Sequence, residues 1–214
     1  MQKGLLFVLA VLATASGCAR KPTSPLDAYQ TMGRDPRRDT QAARQHNARA
    51  VKLLQDGKLT AAEVELKAAL AADLFFGPAH NNLGTVYYEQ EKYYLAAWEF
   101  QYAARLMPNR PKPRSNLGLV FEAVGKLDEA TKWYEEALQL APDAVETVGN
   151  LARVYVRRNR KDDRTRELLT KIVMKDNRPE WIAWAKDRLA LMGQPPPRAT
   201  EPAGEQGEGT SVPK

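Results

Sequence analysis

Small and large apolar residues return at an interval of 34 through the middle of this chain, and that interval predicts its elements. Small residues stand at Ala50, Gly84, Gly118 and Ala152, and large ones at Leu53, Tyr87, Phe121 and Tyr155. A second large column follows at Leu66, Phe100, Tyr134 and Leu168, flanked by Ala62, Ala96, Ala130 and by Ala69, Ala103, Ala137. Within each unit the apolar positions keep a helical period, broken at Gln90-Glu91-Lys92 and at Val124-Gly125-Lys126 and closed by Pro108 and Pro142. Each unit therefore reads as two antiparallel helices. Such a pair cannot bury its apolar face alone, so the units must stack. A glycine inside a helix costs about 1 kcal/mol relative to alanine. Its recurrence at Gly84 and Gly118 points to a close approach of backbones, with Tyr87, Phe100, Phe121 and Tyr134 filling the space between.

The order L-G-x-x-Y, then A-x-x-x-F-x-x-A, then P resembles the tetratricopeptide repeat. Its clearest copies are NNLGTVYYEQEKYYLAAWEFQYAARLMP and SNLGLVFEAVGKLDEATKWYEEALQLAP. The resemblance implies an all-α, right-handed superhelix of about four helix-turn-helix repeats, near 43–76, 77–110, 111–144 and 145–178. The outer copies depart from the pattern. Leu74 stands where the first proline would be, and Arg164 and Lys171 stand where the fourth copy should carry small residues. A further amphipathic stretch, 179–192, places Trp181, Ile182, Ala185, Leu189 and Met192 on one face between Pro179 and Gly193, and reads as a capping helix. Together these make a repeat domain over 39–193, with Asp39 or Thr40 capping its first helix.

At the N-terminus, Lys3 precedes an apolar run from Leu5 to Ala13 and then small residues, the layout of a secretory signal peptide over 1–17. The run falls short of the roughly 20 apolar residues that a membrane span needs. It ends in Ala15-Ser16-Gly17-Cys18, which resembles a bacterial lipobox, with Ala15 where leucine is more usual. That resemblance implies lipidation of Cys18 and a stable anchor through two or three acyl chains. With Ala19 and not aspartate after the cysteine, it implies the outer membrane, facing the periplasm. Cys18 is the only cysteine, so stability must come from helix packing and not from a disulfide. Residues 18–38, with Pro22, Pro25, Gly33 and Pro36, read as a flexible tether, and 194–214 as a disordered tail.

The formal net charge is +6, and removal of Lys3 with the signal leaves 31 basic against 26 acidic residues. Much of the excess lies in Arg153, Arg157, Arg158, Arg160, Lys161, Arg164 and Arg166. An exported chain rarely meets nucleic acid. The cluster fits an acidic partner protein, anionic lipid, or a solvated repeat end.

In this family the first helix of each repeat lines a concave groove. Asn82, Asn116 and Asn150 stand one repeat apart on that helix. An asparagine amide both donates and accepts, which suits an extended peptide backbone, and the same amide also serves local hydrogen bonding. Farther along the same helices lie Thr85 and Glu89, Leu119 and Ala123, and Arg153 and Arg157. The groove is thus expected to run from an acidic through an apolar to a basic repeat, giving a peptide partner a direction. A two-carboxylate clamp does not fit, because Val51 or Thr85 replaces its asparagine and Asn47 or Asn81 its lysine.

Catalysis finds no support. His46 and His80 are one repeat apart and project side by side, no metal-spaced cysteine pair or phosphate loop occurs, and no cofactor is implied. The pairs Glu135-Glu136 and Asp162-Asp163 read as solvated helix or turn residues. The sequence therefore points to a lipid-anchored adaptor holding a peptide or helix of an envelope protein. A pilotin-like escort of an outer-membrane secretin and an accessory subunit of a peptidoglycan enzyme are the alternatives. Self-association through an open repeat end is a further expectation.

Overall fold

The computed structural model describes residues 38–193, which form nine α-helices and no strand. These are α1 (Thr40–Gln55), α2 (Leu59–Ala72), α3 (Gly77–Glu89), α4 (Tyr93–Leu106) and α5 (Lys112–Ala123), followed by α6 (Leu127–Leu140), α7 (Val145–Arg157), α8 (Asp163–Lys175) and α9 (Pro179–Met192). Consecutive helices pack in pairs, and the first helices α1, α3, α5 and α7 also meet one another in series, which builds the repeat superhelix. The expected signal, the tether with Cys18 up to residue 37, and the tail lie outside the described residues. None of the described helices is long and apolar enough to cross a membrane.

Stacking is made possible by the columns of small residues. Ala62, Ala96 and Ala130 are fully buried, as are Ala69, Ala103 and Ala137. A Cβ on Gly84 would lie 2.7 Å from the Phe100 ring, and one on Gly118 would collide with the ring of Tyr134. The glycines are therefore seats for the aromatic residues of the same repeat. Two apolar clusters result, one through α1–α5 and one through α6–α9, and both press on Phe121.

The turns inside the repeats are equally periodic. Gly57 (φ 71), Glu91 (φ 58), Gly125 (φ 78) and Asn159 (φ 53) stand 34 residues apart, each in the left-handed region. The next residue donates its backbone N–H to the carbonyl five positions back, as in Lys58 to Leu53 and Lys92 to Tyr87. That is a Schellman helix end, which glycine enters without strain and asparagine readily. Glu91 occupies it at a steric cost.

The fourth repeat corrects the periodic expectation. After Asn159 the chain spends two further residues before α8, whose N-cap Asp162 accepts from the Thr165 N–H at 2.8 Å. Leu168 keeps its core place, but Thr165 and Ile172 are buried one residue later than the alanine columns set them, and Leu169 is buried beside Leu168. Arg164 and Lys171 consequently turn outward, to Glu167 and to Asp143. Asp162 is thus a cap and not merely a solvated turn residue. Likewise Glu135 accepts the Tyr155 hydroxyl at 2.6 Å.

Helix α9 follows α7 at the repeat interval, so it occupies the place of the first helix of a fifth unit. It buries Trp181, Trp184 and Ala185, with Ile182, Leu189 and Met192 half-buried. The Trp181 ring sits over Gly149, where a Cβ would stand 2.9 Å away.

Candidate functional site

The first helices line a concave cavity of about 930 Å³. Tyr88 and Glu89 come from α3, Glu91 from the following turn, and Tyr93 from the start of α4. Leu119, Glu122 and Ala123 come from α5, and Glu146, Asn150, Arg153 and Arg157 from α7. Arg178 and Trp181, before and within α9, close the far side. Tyr88 and Tyr93 meet edge to face at 5.7 Å, and Trp181, only 1 % exposed, forms part of the floor.

The centre of the site is Glu122, 7 % exposed. Its Oε1 accepts from Arg153 Nε at 2.8 Å and from Arg157 at 3.2 Å. Its Oε2 accepts from Arg153 at 2.9 Å and from the Tyr134 hydroxyl at 3.0 Å. Burial opposes the charge on Arg153, and the hydrogen bonds and attraction of Glu122 more than offset it, so the guanidinium is held above its ordinary pKa. Burial, with the neighbouring Glu122 charge, pushes the Tyr134 hydroxyl upward, so it remains a donor. The register of Glu122 explains why it was missed. The same position carries Leu54, Tyr88 and Val156 in the other repeats, and a lone carboxylate in an otherwise apolar column was the available signal. The repeat expected to be apolar therefore holds a buried charge.

Of the expected groove residues, the cavity brings together Glu89, Leu119, Ala123, Asn150, Arg153 and Arg157; Asn82, Asn116 and Thr85 are not part of its lining. Asn82 donates its side-chain N–H to Asn47 Oδ1 at 2.9 Å, and Asn116 donates to Asn81 Oδ1 at 3.1 Å. Asn116 is itself buried. These amides join consecutive repeats. Thr85 donates its hydroxyl to the Asn81 carbonyl one turn back.

The basic cluster is largely partnered. Arg158 pairs with Asp128, Arg160 with Asp162 and Arg164 with Glu167, in addition to the Glu122 contacts of Arg153 and Arg157. Arg178 grips both oxygens of Asp176, at 2.9 and 2.6 Å, and lies 4.6 Å from the Trp181 ring centre. Tyr88, Tyr93, Arg178 and Trp181 were not anticipated as lining residues. Extending the 34-residue period one step, to α9, would have placed Trp181 on a first helix.

His46 bonds Glu65 through Nδ1 at 2.8 Å, and His80 bonds Glu99 at 2.6 Å and, through Nε2, the Leu74 carbonyl at 2.8 Å. Each is a separate structural pair, repeated at the unit interval. Among the described residues no group of three or more metal-binding side chains converges.

Residues 111–144, comprising α5, α6 and the segment leading to α7, match the family model of the tetratricopeptide repeat. A 65-residue stretch is 43 % identical to the human protein O-mannosyl-transferase TMTC2, covering 30 % of this chain and 7 % of that protein, so the chain spans a small fraction of that relative. Among solved structures, that of Pseudomonas aeruginosa PilF is similar with a TM-score of 0.64 and 25 % identity, over 73 % of this chain and 69 % of the other. The first tetratricopeptide domain of Spaghetti (RPAP3), bound to the HSP90 peptide SRMEEVD, is similar with a TM-score of 0.56 and 25 % identity, over 58 % and 99 %. The described helices thus have the fold of a tetratricopeptide-repeat interaction scaffold, with the repeat at 111–144 matched directly by its family model.

Proposed function

We propose that this chain is a non-enzymatic adaptor whose concave groove holds a segment of an envelope protein, with Cys18 lipidated and anchoring it to the outer membrane on the periplasmic side. The observation that carries the groove reading is the cavity itself, about 930 Å³ walled by Tyr88, Tyr93 and Leu119 over a charged floor. Concave clefts of that size are the usual form of a binding site, and the charged groups that line this one, Glu89, Glu91, Glu122, Glu146, Arg153, Arg157 and Arg178, suit an occupant with charges of its own. The similarity to a repeat domain bound to an HSP90 peptide supports a peptide-like occupant. The missing clamp residues argue for different end-group chemistry here. The anchor reading rests on the lipobox resemblance alone.

A photo-crosslinking residue at Leu119, whose side chain lines the cavity, tests the groove in living cells. Capture of an envelope protein, lost on blocking the groove with Ala123→Trp one turn along the same helix, is the expected result. Capture confined to a secretin would select the escort reading, and capture of cell-wall enzymes the accessory-subunit reading. A protein that crosslinks nothing there, while crosslinking at Trp98 on the opposite helices, would refute the groove. Separately, Cys18→Ser should release the chain from membranes; retention in the membrane fraction would end the lipidation reading.

A further inference from the structure

The groove is polar in the directional sense, and its backbone-gripping groups are mostly engaged. Glu89 and Glu91 stand exposed at the α3 end, and among the described residues neither makes an ion pair. At the α7 end two guanidinium groups share the single carboxylate of Glu122. Arg153 is nearly buried and doubly bonded. Arg157 is 45 % exposed and touches Glu122 by one 3.2 Å bond, so it is the cation that can reach outward. Glu146, which also lines the cavity from α7, is paired with Lys112, so Arg157 is the half-exposed cation of the pair on Glu122 that faces the groove. Between the ends lie Tyr88, Tyr93 and Leu119.

An extended peptide needs donors and acceptors along its whole length. Asn82 and Asn116 direct their N–H groups to the preceding repeat, which leaves Asn150 as the one asparagine of the three in the lining. A helix satisfies its own backbone and is recognised through side chains alone. Building on the groove as the binding site, we infer that its occupant is an amphipathic helix with an acidic residue facing Arg157, large apolar residues over Leu119 and the tyrosines, and a basic residue facing Glu89 and Glu91. Two successive helix-packing steps, α3 to α5 and α5 to α7, span about 16–20 Å. At 1.5 Å per residue this separates the two charges by about eleven residues, three turns apart on one face. The helix dipole sets the direction, because acidic residues are favoured at a helix N-terminus and basic ones at its C-terminus. The partner's N-terminus accordingly lies over α7.

The probe is a fluorescein-labelled synthetic helix of about 16 residues, with glutamate in the first turn, tryptophan and leucine at the middle of the same face, and lysine about eleven residues after the glutamate. Fluorescence anisotropy against the soluble chain from residue 19 onward should show it binding about tenfold tighter than the same helix with glutamate and lysine exchanged. Arg157→Glu and Glu89→Lys should each erase that preference, and together they should reverse it. Equal binding of the two helices, or binding of neither, overturns the inference. Either result would leave the groove reading standing if the Leu119 crosslink still captures an envelope protein, so the two failures are distinguishable.

Discussion

The hydroxyl of Tyr134 donates to the buried carboxylate of Glu122 at 3.0 Å while the same ring lies where a Cβ of Gly118 would be, so one side chain serves both the repeat packing and the groove floor. Removing the carboxylate strands Arg153, whose side chain is 13 % exposed, without its counter-charge. Breaking a buried pair in this way costs about 3–5 kcal/mol. Glu122→Ala should fall at the lower end, since Arg157 is half in water. Tyr134→Phe removes one charge-assisted hydrogen bond and should cost about 1.5–3 kcal/mol. Urea denaturation followed by circular dichroism measures both. A Glu122→Ala chain as stable as the parent would mean that Arg153 finds another anion.

Gly118→Ala forces a methyl group into Tyr134, and Gly84→Ala does so into Phe100. Overpacking of this kind costs about 1–3 kcal/mol. Glu91→Gly should act in the opposite sense. Its φ of 58 is the conformation that Gly57 and Gly125 adopt in neighbouring repeats, and relief of that strain should stabilise the chain by about 1 kcal/mol. Thermal unfolding of the three variants should therefore show two falls and one rise in Tm.

Much of this architecture was legible because repetition tests each position several times. Leu66, Phe100, Tyr134 and Leu168 are all buried, as their shared column requires. Legibility failed where the repetition did. In α8 a later cap moved two of the core positions by one residue, to Thr165 and Ile172, which no column of 34 could reveal. Glu122 was hidden because its partners come from another repeat and from the second helix of its own. Tertiary proximity, not spacing, makes Arg153, Arg157 and Tyr134 a set. The asparagine column was visible, but not that Asn82 and Asn116 donate backwards along the stack.

Acid should unfold this protein through its bonded aspartates. Two lysines, Lys171 and Lys175, hold Asp143 at about 2, and the Thr165 backbone and hydroxyl with Arg160 hold Asp162 at about 2. Burial alone would raise Asp73, but hydrogen bonds from Arg38, Thr40 and the Phe75 N–H outweigh it and lower its pKa. A carboxyl depressed in the folded state binds fewer protons there than in the unfolded chain. Its contribution is therefore complete above about pH 4 and disappears as pH falls through the folded value. Tm should be flat from about pH 5 upward with respect to these groups and fall steeply between about 4 and 2. Asp162→Asn should make the fall shallower, and an unchanged slope would show that the cap is not a source of the acid sensitivity.

The asparagines separate structural from binding roles. Asn116 is 5 % exposed, and its removal leaves Asn81 Oδ1 without the N–H it accepts. An unsatisfied group in such a setting costs about 1–3 kcal/mol, so Asn116→Ala should lower stability whether or not a partner is present. Asn82→Ala should do the same more weakly, because Asn82 itself is only half-buried. Asn150 lies in the cavity lining, half-buried. Asn150→Ala should leave the urea midpoint close to the parent value and weaken capture at the Leu119 crosslinking position. If instead Asn116→Ala weakens capture at unchanged stability, its amide must turn from Asn81 toward the occupant. The column would then act as a backbone-reading ladder, and the helical occupant would give way to an extended one.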